Sequence, residues 1–205
     1  NVEQIKQELN KYIDDEKAAY LPRFFQAFEG GYGEGDRFIG VAVPHQRKVA
    51  KKHYKVIDIK DVERLLKEPI HEYRLTALFM LVYKFEKAKD ERDREVIVDI
   101  YLNNIESINN WDLVDSSAPN ILGGFLMDKD KSILYDMART PDLWKQRIAM
   151  LSTFYFIKQG KFDDTLKIAE ILLDHEHDLI HKAVGWMLRE IGNKDFDVEY
   201  GFLKN

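Results

Sequence analysis

Three apolar, helix-like segments of the chain repeat one another at a nearly constant spacing. Trp111 begins the segment WDLVDSSAP, Arg147 lies in WKQRIAML and Lys182 lies in HKAVGWMLRE, at steps of 36 and 35 residues. A further step of 37 residues towards the N-terminus reaches Arg74 in EYRLTALFML. A period of this length in apolar helical sequence is typical of stacked helix pairs, because one pair cannot bury its apolar face without its neighbours. The spacing therefore predicts an all-α, HEAT-like repeat fold.

Residues at one repeat position are expected to line up along one surface of such a stack. The positions four residues later lie one helical turn further along the same face. The predicted surface strip consists of Arg74, Trp111, Asp115, Arg147, Lys182 and Trp186. Taken singly, each of these residues has an ordinary structural explanation. A tryptophan in a helical protein usually lies in the core, and an arginine in the middle of a helix is usually solvated. An aspartate in the first turns of a helix often complements the helix dipole. Two tryptophans, a carboxylate and three cations together favour a functional site.

Composition limits the classes to which the chain can belong. Its 205 residues and 24.2 kDa suit one domain, which we expect to span residues 1–205. The lack of cysteine excludes disulfides and thiolate metal sites. No apolar run is long enough to cross a membrane, and the charged, amphipathic start NVEQIKQELNKY is unlike a secretory signal. We therefore expect a cytoplasmic protein.

The charges are unevenly distributed along the chain. The net charge is −5, but His45–Lys55 holds five Lys or Arg and two His, with no acid. A protein with one basic surface and acidic residues on the opposite side would have this net charge, and its basic surface would suit a polyanionic partner. For this stretch alone, a solvated helix surface explains the sequence equally well.

Helical periodicity dominates the chain, and strand-like alternation is almost absent. Residues 2–28 are predicted to form one or two helices interrupted near Pro22, and a glycine-rich connector at 30–35 precedes a basic helix that begins at Pro44. Proline and glycine should bend or break the helix that begins at Trp111. The further predicted helices span 60–67, 71–86, 91–107, 111–127, 129–139, 142–158, 163–174 and 178–191, the last with a cap at 192–193.

These segments also carry a family resemblance. WDLVD with its following Ala-Pro, the QR of WKQRIA, KAVGWMLRE, and FIGVAVP before a basic helix resemble the signatures of the AlkD-like DNA alkylation-repair glycosylases. The resemblance covers about residues 20–192. It implies a HEAT-like α–α superhelix whose concave face holds duplex DNA, and we expect the further C-terminal helical segment of such proteins to be absent here.

The resemblance also implies a reaction and roles for particular residues. It implies excision of purines alkylated at N7 or N3 from duplex DNA, in base excision repair. We expect no cofactor or metal, a monomer as the default for a cleft that wraps DNA, and a bacterial cytoplasmic protein that is nucleoid-associated when bound to DNA. The active-site pair would fall on Trp111 and Asp115, a phosphate-contacting arginine on Arg147 and a second cleft tryptophan on Trp186. The additional DNA contacts would be Lys182, Arg189, Arg47, Lys48, Lys51 and Lys52. Asp112 points away from Trp111 around the helix, so we assign it a capping or supporting role.

Two other functions remain open on sequence grounds. Some relatives bind DNA, for instance branched or distorted DNA, without excising bases, and the glycine-rich loop belongs to only part of the family. HEAT-like stacks also serve as protein-binding scaffolds. A zinc site in HEHDLIH is disfavoured, because His177 and His181 lack an evident third ligand and a polar turn explains the segment.

Overall fold

The computed structural model describes residues 1–205, and all of its regular structure is helical. One isolated parallel bridge joins Arg37 to Ile70. The helices are α1 Val2–Asn10, α2 Asp15–Phe24, α3 Val43–His53, α4 Ile59–Leu66, α5 His71–Glu86, α6 Glu91–Asn103, α7 Trp111–Asp115, α8 Gly124–Leu126, α9 Ser132–Arg139, α10 Leu143–Lys158, α11 Asp163–Leu172, α12 Asp178–Lys194 and α13 Phe196–Lys204. A 3-10 turn at Ile105–Ser107 precedes α7, and a π-helical turn at Pro119–Gly123 precedes α8.

The chain divides into two compact units, Asn1–Ser117 and Ala118–Asn205. Each unit is built around one long helix that is buried on all sides. In the first unit this helix is α5, whose residues 71–82 are all buried and which packs against α3 and α4. In the second it is α10, buried throughout 146–153 and packed against α9, α11 and α12. A helix that is apolar all round can be stable only in such an interior position. The prediction of one continuous domain stays a prediction.

The equivalent arginines of the repeat tie successive layers together within each unit. In α5, Arg74 Nε donates to the carbonyl of Ser107, just before α7, at 3.1 Å. In α10, Arg147 Nη1 donates to the carbonyl of Leu179, at the start of α12, at 2.5 Å. The two residues are 6% and 5% exposed. The prediction that Arg74 and Arg147 belong to a surface strip is therefore wrong, because both guanidinium groups are buried and donate to backbone carbonyl groups.

Several predicted helix ends fall elsewhere in the structure. Pro22 does not interrupt the N-terminal region; it lies in the last turns of α2, and the break comes before Asp14, whose carboxylate caps α2 by accepting from Lys17 N. Helix α6 ends at Asn103 instead of 107. The helix that starts at Trp111 is broken before Pro119, as predicted.

The C-terminal end differs from the prediction as well. Helix α12 does not end at 191 but continues to Lys194, and α13 follows directly. Asp195 links the two helices, since its N–H donates to Ile191 O and its carboxylate accepts from Val198 N. Gly192 therefore lies inside the continued α12 instead of capping it, and a Cβ there would meet only the flexible carboxylate end of Glu199 at short distance.

None of the helices combines the length and the apolar character that crossing a membrane requires.

The glycine-rich connector folds back onto the end of α2. Gly33 N donates to Gln26 O at 3.0 Å, and a Cβ at Gly33 would overlap the carbonyl of Phe25. Beyond the connector, Gly40 adopts a φ of 79° and donates its N–H to Glu72. The connector thus serves to bring Asp36 and Gly40 against α5.

Two glycines with the same backbone conformation offer a test of this packing. Gly35 has a φ of 81° with open space around it, whereas a Cβ at Gly40 would overlap the carbonyl oxygen of Asp14. Gly35→Ala should lower the free energy of unfolding by about 1 kcal/mol, the cost of a left-handed residue. Gly40→Ala should lower it by about 3 kcal/mol or more, because steric overlap is added. Urea denaturation measures both, and equal losses would contradict the packing described.

Candidate functional site

Helix α7 presents Trp111 and Asp115 one turn apart on one face. Its first residue is fixed by Asn110, whose side-chain oxygen accepts from Trp111 N at 2.8 Å. Both Trp111 and Asp115 are half-buried. An indole ring and a carboxylate are therefore held close together and remain accessible at the edge of the first unit.

The far side of α7 is held by a chain of hydrogen bonds in the core. Ser117 Oγ donates to the carbonyl of Leu113 at 2.6 Å, and the hydroxyl of the fully buried Tyr101 lies 2.8 Å from Ser117 Oγ. Since Ser117 uses its proton on Leu113, Tyr101 is the donor of this second bond. Burial raises the pKa of the Tyr101 phenol, and the nearby charge of Asp115 adds to that effect.

His71, the first residue of α5, lies between two carboxylates. Its Nδ1 is 2.5 Å from Asp36 Oδ2, and its Nε2 is 2.7 Å from Asp112 Oδ2. A neutral imidazole would point a lone pair at one of these oxygens, whereas an imidazolium donates to both. Burial by itself would lower the pKa of the ring, but the charges and hydrogen bonds of Asp112 and Asp36 outweigh it and raise the pKa to about 9.

Arg74 completes this buried network. Its Nη2 donates to Asp36 Oδ1 at 3.1 Å and to Asn109 Oδ1 at 2.9 Å. Burial would raise the pKa of the Asp36 carboxyl, but His71 and Arg74 outweigh that effect and lower it. The sequence Arg74–Asp36–His71–Asp112 thus alternates in charge and sums to zero, which allows it to be buried.

Aromatic rings surround the charged imidazole. The rings of Phe25 and Phe38 stack at 5.3 Å between centroids, and their centroids lie 4.9 and 4.8 Å from that of His71. Phe25 also stacks on Trp111 at 5.2 Å, and Phe24 meets Trp111 edge-on at 5.9 Å. The indole is therefore oriented by rings on one side and by α7 on the other.

A cavity of about 310 Å³ opens beside these rings, wholly within the first unit. Its walls come from α2, α3, α5, α7 and the segment 38–42, and they are mostly apolar. Trp111 and Asp112 both line it. The volume lies at the lower end of the roughly 300–1,000 Å³ typical of small-molecule sites.

The four predicted basic DNA contacts of α3 are all exposed: Arg47, Lys48, Lys51 and Lys52. Lys52 pairs with Glu8 at 2.8 Å, and the Arg47 guanidinium lies 4.1 Å from the ring centroid of Phe79. Lys51 makes no ion pair or hydrogen bond within the chain and is the cation most available to a phosphate. Their role towards DNA stays a prediction.

The remaining predicted site residues lie in the second unit. Lys182 is exposed and pairs with Asp178 at 2.7 Å, and Arg189 is exposed. Trp186 is half-buried; its indole N–H donates to Glu190 at 3.2 Å, and its ring lies against Phe154. Arg147 is buried, as described above, and its contact with a phosphate stays a prediction.

The histidine-rich turn before α12 serves to cap the helix. His177 Nδ1 accepts from Leu179 N at 3.1 Å, and His175 Nδ1 accepts from His177 N at 3.0 Å. Within residues 1–205 no three His, Asp or Glu side chains are grouped so that they could hold a metal ion.

Comparison with known proteins identifies the family. A model of the DNA alkylation repair enzyme family matches residues 5–205. The chain belongs to this family. No curated protein shows significant similarity to it in sequence. The resemblance stated from the sequence motifs is therefore confirmed at the level of the family.

Three solved structures share the fold of this DNA alkylation repair family member at low sequence identity. A predicted DNA alkylation repair enzyme from Enterococcus faecalis aligns with a TM-score of 0.71 and 16% identity, over 94% of this chain and 89% of that one. AlkD2 from Streptococcus mutans gives 0.58 and 19%, over 93% and 89%. The protein smu.31 from Streptococcus mutans UA159 gives 0.56 and 19%, over 92% and 90%. The predicted all-α repeat fold is thereby confirmed.

Sequence reasoning found only part of the site of this family member. The supporting role of Asp112 is confirmed, since its Oδ1 accepts from Leu113 N at 2.8 Å and its Oδ2 bonds His71. His71 and Asp36 were missed: His71 precedes further polar residues at the start of α5, and Asp36 directly follows the glycine-rich connector. The steps between positions 36, 71 and 112 are 35 and 41 residues, which is not a constant period, so only the fold reveals that they meet.

The charge on His71 should make stability depend on pH. Because its folded-state pKa of about 9 exceeds the unfolded value of 6.5, the ring stabilises the fold fully below about pH 6.5 and loses that effect as pH rises towards 9. The free energy of unfolding should fall by up to about 3 kcal/mol across this window. In His71→Gln the free energy of unfolding should not fall across this pH window. In Asp112→Asn the pKa of His71 should be lower, so the fall should be complete at a lower pH. Chemical denaturation at several pH values measures this, and parallel profiles for all three proteins would refute it.

Proposed function

We propose that this protein is a DNA N-glycosylase that removes purines carrying a positive charge from alkylation at N7 or N3. The observation that carries the proposal is the pair on α7: a half-buried indole and a carboxylate one turn apart, in a chain that belongs to the DNA alkylation repair enzyme family. Its place of action would be the bacterial chromosome in the cytoplasm.

The chemistry of the substrate explains why one carboxylate suffices. Most glycosidases need an acid to protonate the leaving group and a second carboxylate to act at the sugar. An alkylated purine is already cationic, so the bond from C1′ to the ring nitrogen breaks with its electron pair on a neutral base. Water supplies the hydroxyl at C1′ and one proton is released. Asp115 would stabilise the positive charge that develops on the deoxyribose, or orient the water.

Aromatic and basic groups would assist this step. The face of Trp111 attracts a cationic sugar or base by roughly 0.5–2 kcal/mol, and Trp186 would act in the same way. Arg147, Lys182 and Arg189 would contact phosphates near the lesion. The four exposed cations of α3 would follow flanking phosphates without reading sequence.

Base release from methylated duplex DNA tests the proposal. Wild type should release 7-methylguanine above the spontaneous rate measured without protein. Asp115→Asn should lose about 100-fold or more of this activity, the scale seen when a group that stabilises transition-state charge is removed. Asp99→Asn, an exposed acid on α6, serves as the matched control and should retain full activity.

DNA binding measured in parallel separates the rival functions. Wild type and Asp115→Asn should both bind duplex DNA, more weakly as salt rises. Salt-dependent binding without base release would instead indicate a DNA-binding family member without catalysis. A wild type that binds no DNA would favour a protein-binding scaffold.

A further inference from the structure

A second cavity lies within the first unit, at the C-terminal end of α5. Its walls come from the end of α3, the start of α4, the end of α5 and the first turns of α6. Its volume of about 760 Å³ falls within the roughly 300–1,000 Å³ of sites that hold whole ligands. Lys84 in its wall follows His71 by thirteen residues of α5, which is about 20 Å along the helix axis. The cavity is therefore separate from the site at Trp111 and Asp115.

Lysine side chains dominate the polar part of this lysine-lined cavity. The four lysines in its wall are Lys55, Lys84, Lys87 and Lys89. Asp93 is the one acid that lines it, and none of the four lysines forms an ion pair within the chain. Lys84 Nζ donates to the carbonyl of Ile57 at 2.9 Å. Burial lowers the pKa of the Lys84 ammonium, and the charge of Asp58 offsets this only in part.

The lysines converge on the cavity from separate segments. Lys55 follows the end of α3, Lys84 and Lys87 lie at the end of α5, and Lys89 lies in the connection to α6. Basic residues at the C-terminus of a helix complement its dipole, which explains the two lysines of α5 alone. The dipole of α5 does not explain why the other two gather around the same cavity. Because like charges repel, an anion placed among them would be stabilised.

Apolar side chains fill the space between the lysines. They are Tyr54, Ile59, Ala88, Val96 and Ile97. Val96 is 42% exposed, and Val56, next to Lys55, is 82% exposed. Exposed apolar groups with a polar border mark interaction sites. The phosphates of a DNA duplex would meet the lysines but leave these apolar groups in water, so the wall suits an occupant that is both anionic and apolar.

We propose that the lysine-lined cavity binds an extended, acidic segment of a partner protein that also carries apolar side chains. Successive side chains of an extended chain point to opposite sides, so carboxylates can reach the lysines while apolar groups contact Tyr54 and Val96. Lysines suit this partner because each is a single charge on a flexible stem, able to meet carboxylates at several positions. The partner would thus be held without covering Trp111 and Asp115.

Binding of a synthetic peptide tests this site. The probe is a fluorescein-labelled hexapeptide that alternates aspartate and leucine, titrated with the full chain and followed by fluorescence anisotropy. One comparison peptide has asparagine for aspartate, and the other has serine for leucine. Each should bind about 10-fold more weakly, the first because it lacks the charges and the second because it lacks the apolar groups. Salt should weaken the binding of the probe.

Variants of the chain locate the effect. Lys87→Glu combined with Lys89→Glu should weaken binding of the probe by about 10-fold or more, because attraction is replaced by repulsion. Asp93→Asn should tighten it by about 2- to 5-fold, a gain that partial unfolding cannot produce. The matched control combines Lys11→Glu with Lys167→Glu, since both lysines are exposed, form no ion pair and give the same change in net charge. It should bind the probe as wild type does.

The outcomes separate this site from the proposed activity. Equal binding of the three peptides, or equal losses in the two double variants, would overturn the peptide site. Displacement of the probe by duplex DNA, with DNA binding weakened by the changes at Lys87 and Lys89 alone, would assign the cavity to DNA and also overturn it. Release of 7-methylguanine should be unchanged in that double variant. Probe binding in a wild type that releases no base would support the site and count against the glycosylase.

Discussion

The buried imidazolium of His71 joins three segments that are far apart in sequence. Through Asp36 it holds the glycine-rich connector, and through Asp112 it holds the start of α7. Helix α7 has only five residues, too few to be stable without outside support. A charge without partners in the interior would be costly, and removal of one partner from such a cluster typically costs about 3–5 kcal/mol. The placement of Trp111 and Asp115 therefore depends on this cluster.

The repeat architecture uses buried polar groups for a second purpose. Arg74 and Arg147 occupy equivalent positions in the two central helices and donate to carbonyl groups at the layer that follows in their own unit. Each bond ties the guanidinium of a central helix to the backbone near the start of a later helix. The arginines at this repeat position are therefore used for hydrogen bonds inside each unit.

The helical pattern could be predicted because it follows from local periodicity. The bounds of α5 agree with the prediction, and the break before Pro119 follows from the missing N–H of proline. The predictions at Pro22 and Gly192 were wrong because α2 tolerates a proline late in its length and α12 continues through Gly192 to Lys194.

The candidate site was harder to predict for a related reason. The pair Trp111 and Asp115 could be found, because both residues lie on one short helix. Arg74 was misplaced, since a repeat position alone does not say whether a side chain faces solvent or a neighbouring carbonyl. The His71 cluster depends on contacts between residues 35 to 41 positions apart, and no local pattern encodes them.

The two unusual features of the first unit are physically connected. The aromatic rings that line the cavity also shield the imidazolium from water, which strengthens its bonds to both carboxylates. Those bonds in turn fix the α7 wall of the cavity. The same cluster therefore sets the position of the proposed catalytic pair and the shape of the cavity beside Trp111.

The protonation state of His71 tests this account most directly. A ¹⁵N spectrum of the imidazole across pH 6–10 reports how many protons the ring carries. The account predicts two ring N–H groups at pH 7.5 and loss of one proton with a midpoint near the pKa of about 9. A ring with a single N–H at pH 7.5 would contradict it, because His71 could then donate to only one of the two carboxylates.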